Sequence, residues 1–390
     1  MSSTAASRVY DRNDDKLSGL VTTCDVIPGD DVAPITPFVR IVPAARSRFR
    51  RSSEAGCLGQ LDFANVDHGF AAALTAELRR SRGTPAAGEA SSHALNDLAF
   101  RVGARSVTVL INGPTGTGKE VLARAIHQAS PRRDLPLIAV NCAALPEAML
   151  EALLFGHERG AFTGAQGASP GLFRAAHRST LLLDEVAELP LGCQAKLLRV
   201  LQEREVLAIG ATVPASVDVR VIATANRDLA AEIAAGRFRS DLYYRLAVFP
   251  LTTMALRHRP ADLLPLVAAL LLRLGNGIPA WPEVEALDKL AAHDWPGNVR
   301  ELGNVLERAL IYGDGERITA RDIVFDIAAP VSNVTTLRPQ VRDCEFDTIR
   351  RTLEACAGRR IEAARRLGIS ERSLRYKLAA MALPAAATIQ

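Results

Sequence analysis

A glycine-rich stretch carries the residue types that phosphate binding needs. Residues 113–120 read GPTGTGKE, follow directly on the apolar run VTVLIN and precede an amphipathic helical pattern. Glycines let backbone N–H groups close around phosphate oxygens, a helix N-terminus favours anions, and Lys119 adds a point charge at the β and γ phosphates. We therefore predict a phosphate-binding loop that consists of Gly113, Pro114, Thr115, Gly116, Thr117, Gly118, Lys119 and Glu120.

A pair of carboxylates follows a second apolar run. Position 120 of the loop is Glu, where such loops usually have Ser or Thr for Mg²⁺. The run TLLLDEV places Asp184 and Glu185 at the carboxyl edge of a sheet, where nucleotides bind in α/β folds. We predict that Asp184 holds Mg²⁺ and that Glu185 orients or deprotonates the attacking water. Alone, such a pair is typical of a solvated strand edge; together, the two motifs predict nucleotide hydrolysis.

The segments around these motifs indicate an α/β fold. Between about 88 and 250, strand-like runs (VTVLING, LPLIAVNC, STLLLDEV, VDVRVIATAN) alternate with helical patterns (EVLARAIHQA, CQAKLLRVLQE). Such alternation predicts a parallel sheet covered by helices. Residues 251–328 show helical patterns and no comparable strand, which predicts a helical subdomain. Residues 329–341 are predicted to form a linker, and 342–390 contain three short helical patterns.

The N-terminal part of the sequence has no clear periodicity. Residues 1–87 mix Asp, Pro and Ser with the arginine cluster ARSRFRRSSE, and they predict an irregular regulatory or accessory segment. A short helix is possible at GFAAALTAELRRSR, before a Gly/Pro/Ser linker. The cluster favours a solvated charge run over a nucleic-acid arm. We expect no receiver domain, since that doubly wound fold needs more residues than this segment holds.

Composition indicates a soluble globular protein in the cytoplasm. The 390 residues are 48% hydrophobic and 23% charged, with a net charge of +4. The six cysteines show neither CxxC spacing nor the density of a secreted disulfide framework, so we expect reduced thiols. No apolar run approaches the roughly 18 residues that a membrane span needs, and the N-terminus does not read as a signal peptide. We therefore predict no membrane partner.

The C-terminal stretch RRIEAARRLGISERSLRYKLAAM, residues 359–381, has the pattern of a helix-turn-helix. Gly368 suits the turn and Ser370 can cap the second helix. Basic residues outnumber acidic ones here, which suits contact with double-stranded DNA. A small helical bundle with a solvated basic face is the alternative. The side chains predicted to contact DNA are Arg372, Ser373, Arg375, Tyr376 and Lys377.

The stretch GAFTGA, residues 160–165, resembles neither strand nor helix. Gly160 and Gly164 read as hinges around Phe162 and Thr163, because glycine adopts backbone angles that other residues avoid. Taken alone, the stretch is equally compatible with an ordinary turn whose Phe162 side chain packs into the core.

With the phosphate loop, GAFTGA and LLLDE in this order, the chain resembles the bacterial enhancer-binding proteins, AAA+ ATPases that activate transcription by sigma-54 RNA polymerase. Further blocks of the resemblance are VNCAAL, LFGHERGAFTGA, AKLLRVLQE, FRSDLYYRL and WPGNVREL, and SLRYKL resembles a Fis-type DNA-binding domain. It covers about 88–328 and the C-terminal tail. It implies ATP and Mg²⁺ as cofactors, and in this family the loop also ends GKE, so Glu120 is the expected variant.

The resemblance also implies a contact with sigma-54. In the family, the GAFTGA loop protrudes from a ring of subunits and moves with the nucleotide state, a coupling of the kind found in other NTPases. The residues implied in this contact are Gly160, Ala161, Phe162, Thr163, Gly164 and Ala165.

Two asparagines acquire roles from the same resemblance. Asn141 is similar to the switch residue that holds Glu185 away from water until nucleotide and partner are in place. Asn226, which closes VIATAN, is similar to the sensor I residue. The family more often has Thr just before it, and here that position is Ala225, which affects sensing of the γ-phosphate.

Three arginines acquire roles as well. Arg239 and Arg245, in FRSDLYYRL, resemble the arginine fingers that reach into the neighbouring subunit's site. Arg300, in WPGNVREL, resembles the sensor II residue on the helical lid. Without the resemblance, Arg239 and Arg245 would read as an ordinary surface pair.

The leading hypothesis is a sigma-54-dependent activator that binds upstream DNA as dimers, assembles into a ring, which the resemblance implies is a hexamer, and uses ATP hydrolysis to remodel the closed promoter complex. A DNA-binding repressor whose ATPase controls only oligomerisation is the alternative, but repressors of this kind lose GAFTGA. A remodeller of proteins unrelated to transcription is a third, against which the recognition helix argues. Within the family the chain most resembles flagellar-gene regulators with unusual N-termini.

Overall fold

The computed structural model describes residues 38–43, 48–51, 57–63, 68–80, 83–161, 167–325 and 356. The chain divides into two compact units, Met1–Val324 and Phe325–Gln390, and the first holds every helix and strand of the described residues. In the described part of the chain, each helix is too short or too polar to cross a bilayer.

The strands, in chain order, are β1 (Phe38–Pro43), β2 (Arg48–Arg51), β3 (Cys57–Phe63), β4 (Val109–Asn112), β5 (Leu137–Asn141), β6 (Thr180–Asp184), β7 (Glu205–Val206), β8 (Ala215–Ser216), β9 (Arg220–Ala225), β10 (Phe249–Thr252), β11 (Trp281–Pro282) and β12 (Arg317–Ile318). The helices are α1 (His68–Arg79), α2 (Ala90–Gly103), α3 (Lys119–Gln128), α4 (Glu147–Phe155), α5 (Gly171–Ala175), α6 (Leu191–Glu203), α7 (Leu229–Ala234), α8 (Ser240–Leu246), α9 (Leu263–Leu274), α10 (Val284–Ala291) and α11 (Asn298–Tyr312).

Five parallel strands form the central sheet in the spatial order β10-β4-β9-β6-β5. Every residue of β9 is buried, and so is every residue of β6 before Asp184. Parallel strands covered on both faces read as continuous apolar runs, which is why these two were evident in the sequence. The predicted parallel sheet covered by helices is confirmed.

The sheet separates two apolar layers because side chains alternate along each strand. On one face, Ile111 of β4 and Ile222 of β9 pack with α2 and α3. On the other, Leu110 and Val221 pack with α4, α5, α6 and α8. With both faces covered, the carboxyl ends of the strands remain as the edge at which a ligand can bind.

The helical subdomain after the sheet contains α9, α10 and α11. Among its described residues it also contains a pair of two-residue parallel strands, β11 and β12, where no strand was predicted. The edge strand β10 runs to Thr252, past the predicted subdomain boundary at residue 250. The predicted helical lid is confirmed, whereas the domain boundaries stay predictions.

The N-terminal region differs from its prediction. Its described residues contain a three-stranded sheet in the order β1-β3-β2, with β1 parallel and β2 antiparallel to β3, so the prediction of an irregular segment is wrong for these three strands. The possible short helix is present as α1. It packs on α9, and Phe70 meets Trp281 edge-on at 5.0 Å between ring centroids.

Candidate active site

The phosphate loop lies between β4 and α3, and its glycines are favoured by their backbone angles and, at Gly113 and Gly116, by the lack of space for a side chain. Gly113, Gly116 and Gly118 have φ angles of 144°, 77° and 98°, which residues with a Cβ disfavour. A Cβ at Gly113 would collide with Thr253 Oγ1, and one at Gly116 with the carbonyl oxygen of Gly297. The glycines thus let the end of β10 and the lid approach the loop backbone closely.

Lys119 begins α3, and its side chain folds back over the loop. Its Nζ donates hydrogen bonds to the carbonyl oxygens of Gly113 (2.7 Å) and Pro114 (3.0 Å). The residue is 8% exposed. Burial lowers the pKa of Lys119, while the carboxylates of Asp184 and Glu185 act to raise it. The loop therefore holds a buried cation beside the two strand-end carboxylates.

The remaining loop residues divide between the interior and the surface. Thr117 is buried and donates its hydroxyl to Pro114 O (2.8 Å), while Pro114 and Thr115 are exposed. The Glu120 carboxylate accepts a hydrogen bond from Arg124 (2.7 Å) on the exposed face of α3. The structure thus directs Glu120 to a surface ion pair one helical turn away.

The strand-end carboxylates lie at the carboxyl edge of β6, beside the end of β5. Asn141 and Asp184 are register partners, and Asn141 Nδ2 donates to Asp184 Oδ2 at 3.4 Å. Asn141 Oδ1 accepts from Ala143 N (2.8 Å). The predicted switch residue therefore contacts Asp184, the chain neighbour of its predicted partner Glu185. Glu185 itself has a left-handed backbone, with φ of 58°.

The end of β9 brings two further polar residues to this edge. Thr224 is fully buried, donates to Asp184 Oδ1 (2.5 Å) and accepts from Glu185 N (3.0 Å). Asn226 follows the strand, and within the described residues its buried Oδ1 has no hydrogen-bond partner. Ala225, where the family more often has Thr, is fully buried. Thr224 was not identified from the sequence. The feature that could have indicated it is a hydroxyl side chain near the end of an otherwise apolar strand.

The lid contacts the phosphate loop through the start of α11. Asn298, 3% exposed with φ of 54°, donates from Nδ2 to Thr115 O (2.9 Å). Val299 N and Arg300 N both donate to Gly116 O, at 2.9 and 3.3 Å. The Arg300 side chain is close enough to lower the pKa of Lys119 by charge repulsion. The structure therefore brings the predicted sensor II residue to the loop.

A buried ion pair continues this contact. Arg259 Nη2 donates to Thr117 O (2.8 Å), and Nη1 donates to Asp262 (3.2 Å). Asp262 is fully buried and also accepts from Gly88 N (2.6 Å) and Glu89 N (2.7 Å). This pair joins the phosphate loop to the segment that enters α2. Sequence reasoning missed it because arginines are abundant in this chain.

Of the predicted arginine fingers, Arg239 immediately precedes α8 and Arg245 lies on it. Arg239 and Arg245 are exposed. Arg239 forms two hydrogen bonds with Asp241, at 3.1 and 2.7 Å, and these bonds raise the pKa of Arg239. Their side chains therefore point outward from the subunit that carries them.

The two ends of the GAFTGA loop are held by backbone hydrogen bonds. His157 and Ser169 exchange two backbone hydrogen bonds of 2.9 Å, and Glu158 N donates to Ile209 O (2.9 Å). Gly160 has φ of 77°, a turn that suits glycine. The other implied sigma-54 contacts begin with Ala161, which lies at this base, and continue with residues outside the described part of the chain: Phe162, Thr163, Gly164 and Ala165.

The predicted DNA-contacting residues also lie outside the described residues: Arg372, Ser373, Arg375, Tyr376 and Lys377.

Three protein families match the chain in succession. Residues 87–252 match the sigma-54 interaction domain, 257–338 the AAA+ ATPase lid domain, and 340–381 the Fis family of bacterial regulatory proteins. The last match bears out the predicted Fis-type helix-turn-helix.

Characterised relatives match over most of the chain. The response regulator protein FleR of Pseudomonas aeruginosa is 52% identical over 333 residues, which covers 76% of this chain and 70% of FleR. The transcriptional regulatory protein ZraR of Salmonella typhimurium is 46% identical over 296 residues, 74% of this chain and 66% of ZraR. FlbD of Caulobacter vibrioides is 44% identical, with 72% and 66% covered.

Solved structures agree with these matches. NtrX from Brucella abortus in complex with ADP has a TM-score of 0.56 at 30% identity, covering 79% of this chain and 71% of that one. NtrX in complex with ATP has the same TM-score at 28% identity, with 89% and 83% covered. A chain that shares half its residues with FleR over most of both lengths is of the same family, and this protein belongs to the sigma-54-dependent transcriptional activators, a group of AAA+ ATPases.

Proposed function

We propose that this activator binds ATP with Mg²⁺ at the carboxyl edge of its central sheet, between the phosphate loop and the lid. One observation carries the proposal: Lys119 of α3 is buried with its Nζ bonded over the phosphate loop, near enough to Asp184 and Glu185 of the β6 end and to Arg300 of the lid for their charges to act on the pKa of Lys119. Charges from three separate segments thus converge on one glycine loop. The ATP and ADP complexes of NtrX, a relative in fold, support the choice of nucleotide.

The residues present fit a magnesium ion and an attacking water. Mg²⁺ is usually held by one or two carboxylates together with phosphate oxygens and water, and Asp184 supplies such a carboxylate. The ion would neutralise charge on the β and γ phosphates. Glu185 would orient the water, and Asn226 Oδ1, a buried acceptor without a partner in the described residues, suits a water proton.

We propose that Arg239 and Arg245 complete the site of a neighbouring subunit in a ring, a hexamer by analogy with the family. Both side chains are exposed, Arg239 just before α8 and Arg245 on it, which is what a residue acting in trans needs. An arginine supplied in this way is worth about 10³- to 10⁵-fold in rate in other NTPases. Because Arg239 is bound to Asp241 in the isolated chain, we expect the neighbouring phosphate to compete for it.

We propose that movement reaches the sigma-54 loop along the chain from Asn141 to Gly160. Cys142 N donates to Asp184 O (2.9 Å), α4 follows, and α4 is tied to α6 by the ion pair of Glu151 and Lys196. The chain then enters the paired base at His157. A change at Asp184 would therefore reach Phe162 and Thr163 through one backbone hydrogen bond and the chain that follows Cys142.

The remaining assignments rest on the family. The domain limits 1–87, 88–250, 251–328, 329–341 and 342–390 are proposals, as are the five DNA contacts in the last of them and dimers on upstream DNA. We place the protein in the cytoplasm, where the polymerase works. Flagellar target genes stay a prediction.

In vitro transcription with sigma-54 holoenzyme and ATP tests the proposal. We expect open complexes with the unchanged protein and none with Lys119→Ala, because the cation at the phosphates is lost. Thr163→Ala should keep ATP hydrolysis within about threefold and abolish open complexes. Holoenzyme with the primary sigma factor is the control. Activation that survives Lys119→Ala would contradict the proposal, and DNA binding with repression alone would favour the repressor hypothesis.

A further inference from the structure

The hydroxyl of Thr224 contacts both residues of the strand-end pair. It donates to Asp184 Oδ1 at 2.5 Å and accepts from the backbone N–H of Glu185 at 3.0 Å. Thr224 is fully buried in β9, the middle strand of the sheet, between β4 and β6. A hydroxyl has one hydrogen, so donating it to the carboxylate leaves only lone pairs for the Glu185 N–H. The two bonds therefore fix each other's direction.

The first bond orients the Asp184 carboxylate. Oδ1 accepts from Thr224 and Oδ2 from Asn141, so each oxygen is held by a side chain from a neighbouring strand. Each carboxylate oxygen has a further lone pair. Those lone pairs are what a cation would use, and their direction is set once the carboxylate cannot rotate.

The second bond holds the turn at Glu185. This residue adopts φ of 58° and ψ of 50°, a left-handed conformation that a side chain disfavours. The turn ends β6 and decides in which direction the Glu185 side chain leaves the sheet. Because Thr224 supplies the acceptor for Glu185 N, it stabilises this conformation directly.

The position of the hydroxyl within β9 is specific. Neighbouring side chains of a strand point to opposite faces. Ala225 packs in the apolar layer with Val186 and Leu246, so a hydroxyl there would face apolar side chains. Thr224 faces the carboxylates. Ala225 stands where the family more often has Thr. In this chain the hydroxyl belongs instead to Thr224, one residue earlier, on the face that carries Asp184 and Glu185.

We propose that Thr224 is a positioning residue of the ATPase site, which orients Asp184 toward the metal and fixes the turn that presents Glu185. The role rests on the proposed function. The competing explanation is structural only: threonine favours strands, and a buried hydroxyl takes whatever partners lie near it.

Three variants separate these explanations. Thr224→Val keeps the branched shape and removes both bonds, whereas Thr224→Ser keeps the hydroxyl. Thr180→Val is the matched control, since Thr180 is also fully buried in the sheet and its hydroxyl bonds to His127 Nδ1 (3.0 Å) at the other end of β6. If Thr224→Val does not fold, Thr224→Ala carries the same test with more room. Thermal unfolding shows which variants are folded.

The measurements are ATP turnover and, without turnover, binding of Mn²⁺ by electron paramagnetic resonance with a non-hydrolysable ATP analogue. We expect Thr224→Val to lower kcat and Mn²⁺ affinity each by about 10- to 100-fold, as when a charged group loses a hydrogen bond. Metal-free nucleotide affinity should stay within about threefold, and Thr224→Ser should restore both losses to within that margin. Thr180→Val should lower only the unfolding temperature.

Two results overturn the role. One is a Thr224→Val protein whose kcat and Mn²⁺ affinity match those of Thr180→Val. The other is a folded Thr224→Ser protein that loses as much as the valine variant. An unchanged chain that neither binds nor hydrolyses ATP would instead overturn the proposed function, so the two failures are distinguishable.

Discussion

The two sides of the phosphate loop are built differently. On the strand side, polar side chains bond to one another: Thr224 and Asn141 each hold one oxygen of Asp184. On the lid side, the bonds end on the loop backbone. Three successive carbonyl groups accept from the lid side: Thr115 O from Asn298, Gly116 O from Val299, and Thr117 O from Arg259.

This difference separates two tasks. In a trans peptide the C=O and the following N–H point in opposite directions. Carbonyl groups held toward the lid therefore turn the N–H groups of Gly116, Thr117 and Gly118 the other way, where phosphate oxygens would accept them. Under the proposed function, the strand side would position the groups for hydrolysis and the lid side would shape the cradle for the phosphates. The first should control turnover and the second affinity.

The largest effect is expected on the strand side. Asp184→Asn keeps the shape of the side chain and removes the charge that would hold Mg²⁺. We expect ATP hydrolysis to fall by at least about 100-fold, the usual cost of removing a charge-stabilising group from an active site. A colorimetric phosphate assay measures it, and metal-free nucleotide binding should change little.

Asp218→Asn is the matched control for that variant. Asp218 lies just before β9, at the opposite edge of the sheet, where its bond with Arg132 (2.7 Å) lowers the pKa of Asp218. Its loss should leave hydrolysis within about threefold. Equal losses in both carboxylate variants would mean that charge anywhere on the sheet matters, and the distinction between the two sides would fail.

An intermediate effect is expected on the lid side. Asn298→Gly keeps a residue that accepts the left-handed backbone and removes the three side-chain bonds, those to Thr115 O and Pro296 O and the one from Leu256 N (2.8 Å). If the lid is closed for a smaller fraction of the time, the apparent affinity for ATP falls in proportion to that fraction. We expect ATP to bind about tenfold more weakly, with turnover at saturation within about threefold.

Arg178→Gly is the control for this substitution, because Arg178 is exposed, has φ of 65° and lies before β6, at the edge opposite the site. It should bind ATP as the unchanged chain does in a fluorescent-nucleotide titration. If Asn298→Gly lowered turnover and left ATP affinity intact, the lid side would control turnover, which contradicts the proposed division between the two sides.

The sequence predicts the strand side better than the lid side for a physical reason. Apolar runs that end in Asp184 and Glu185, and a glycine loop before α3, are local patterns with local causes. The lid contacts are long-range: Asp262 bonds to Gly88, 174 residues away in the chain. No local pattern distinguishes Arg259 from the many other arginines, so these residues emerge only from the fold.

The N-terminal strands show the same limit. β2 reads RFRR and buries only Phe49 among its exposed arginines, and β1 ends in Pro43. Strand prediction relies on alternation of apolar and polar residues over several positions, and the three arginines of β2 and the proline that ends β1 weaken that pattern. The strand that holds Thr224 was predicted, but the role of the residue was not, because threonine is common in strands and its presence there indicates no function.

The smallest effect on hydrolysis is expected farthest from the loop, where α1 packs on the lid. Phe70 is 1% exposed and meets the equally buried Trp281 edge-on, so Phe70→Ala should destabilise this contact by about 3–5 kcal/mol. We expect faster amide hydrogen exchange in α1, with ATP affinity and turnover within about threefold. Val284→Ala, at a position 42% exposed, is the control and should change neither hydrogen exchange nor ATP affinity and turnover.

The physical reason for the small effect is the route of the contacts. Helix α1 packs on α9, whereas the loop carbonyl groups are bonded by residues of α11 and by Arg259, so loosening α1 leaves all three loop carbonyl groups bonded. Should Phe70→Ala weaken ATP binding as strongly as Asn298→Gly, the N-terminal sheet would be part of the cradle, and the lid side would extend to residue 38.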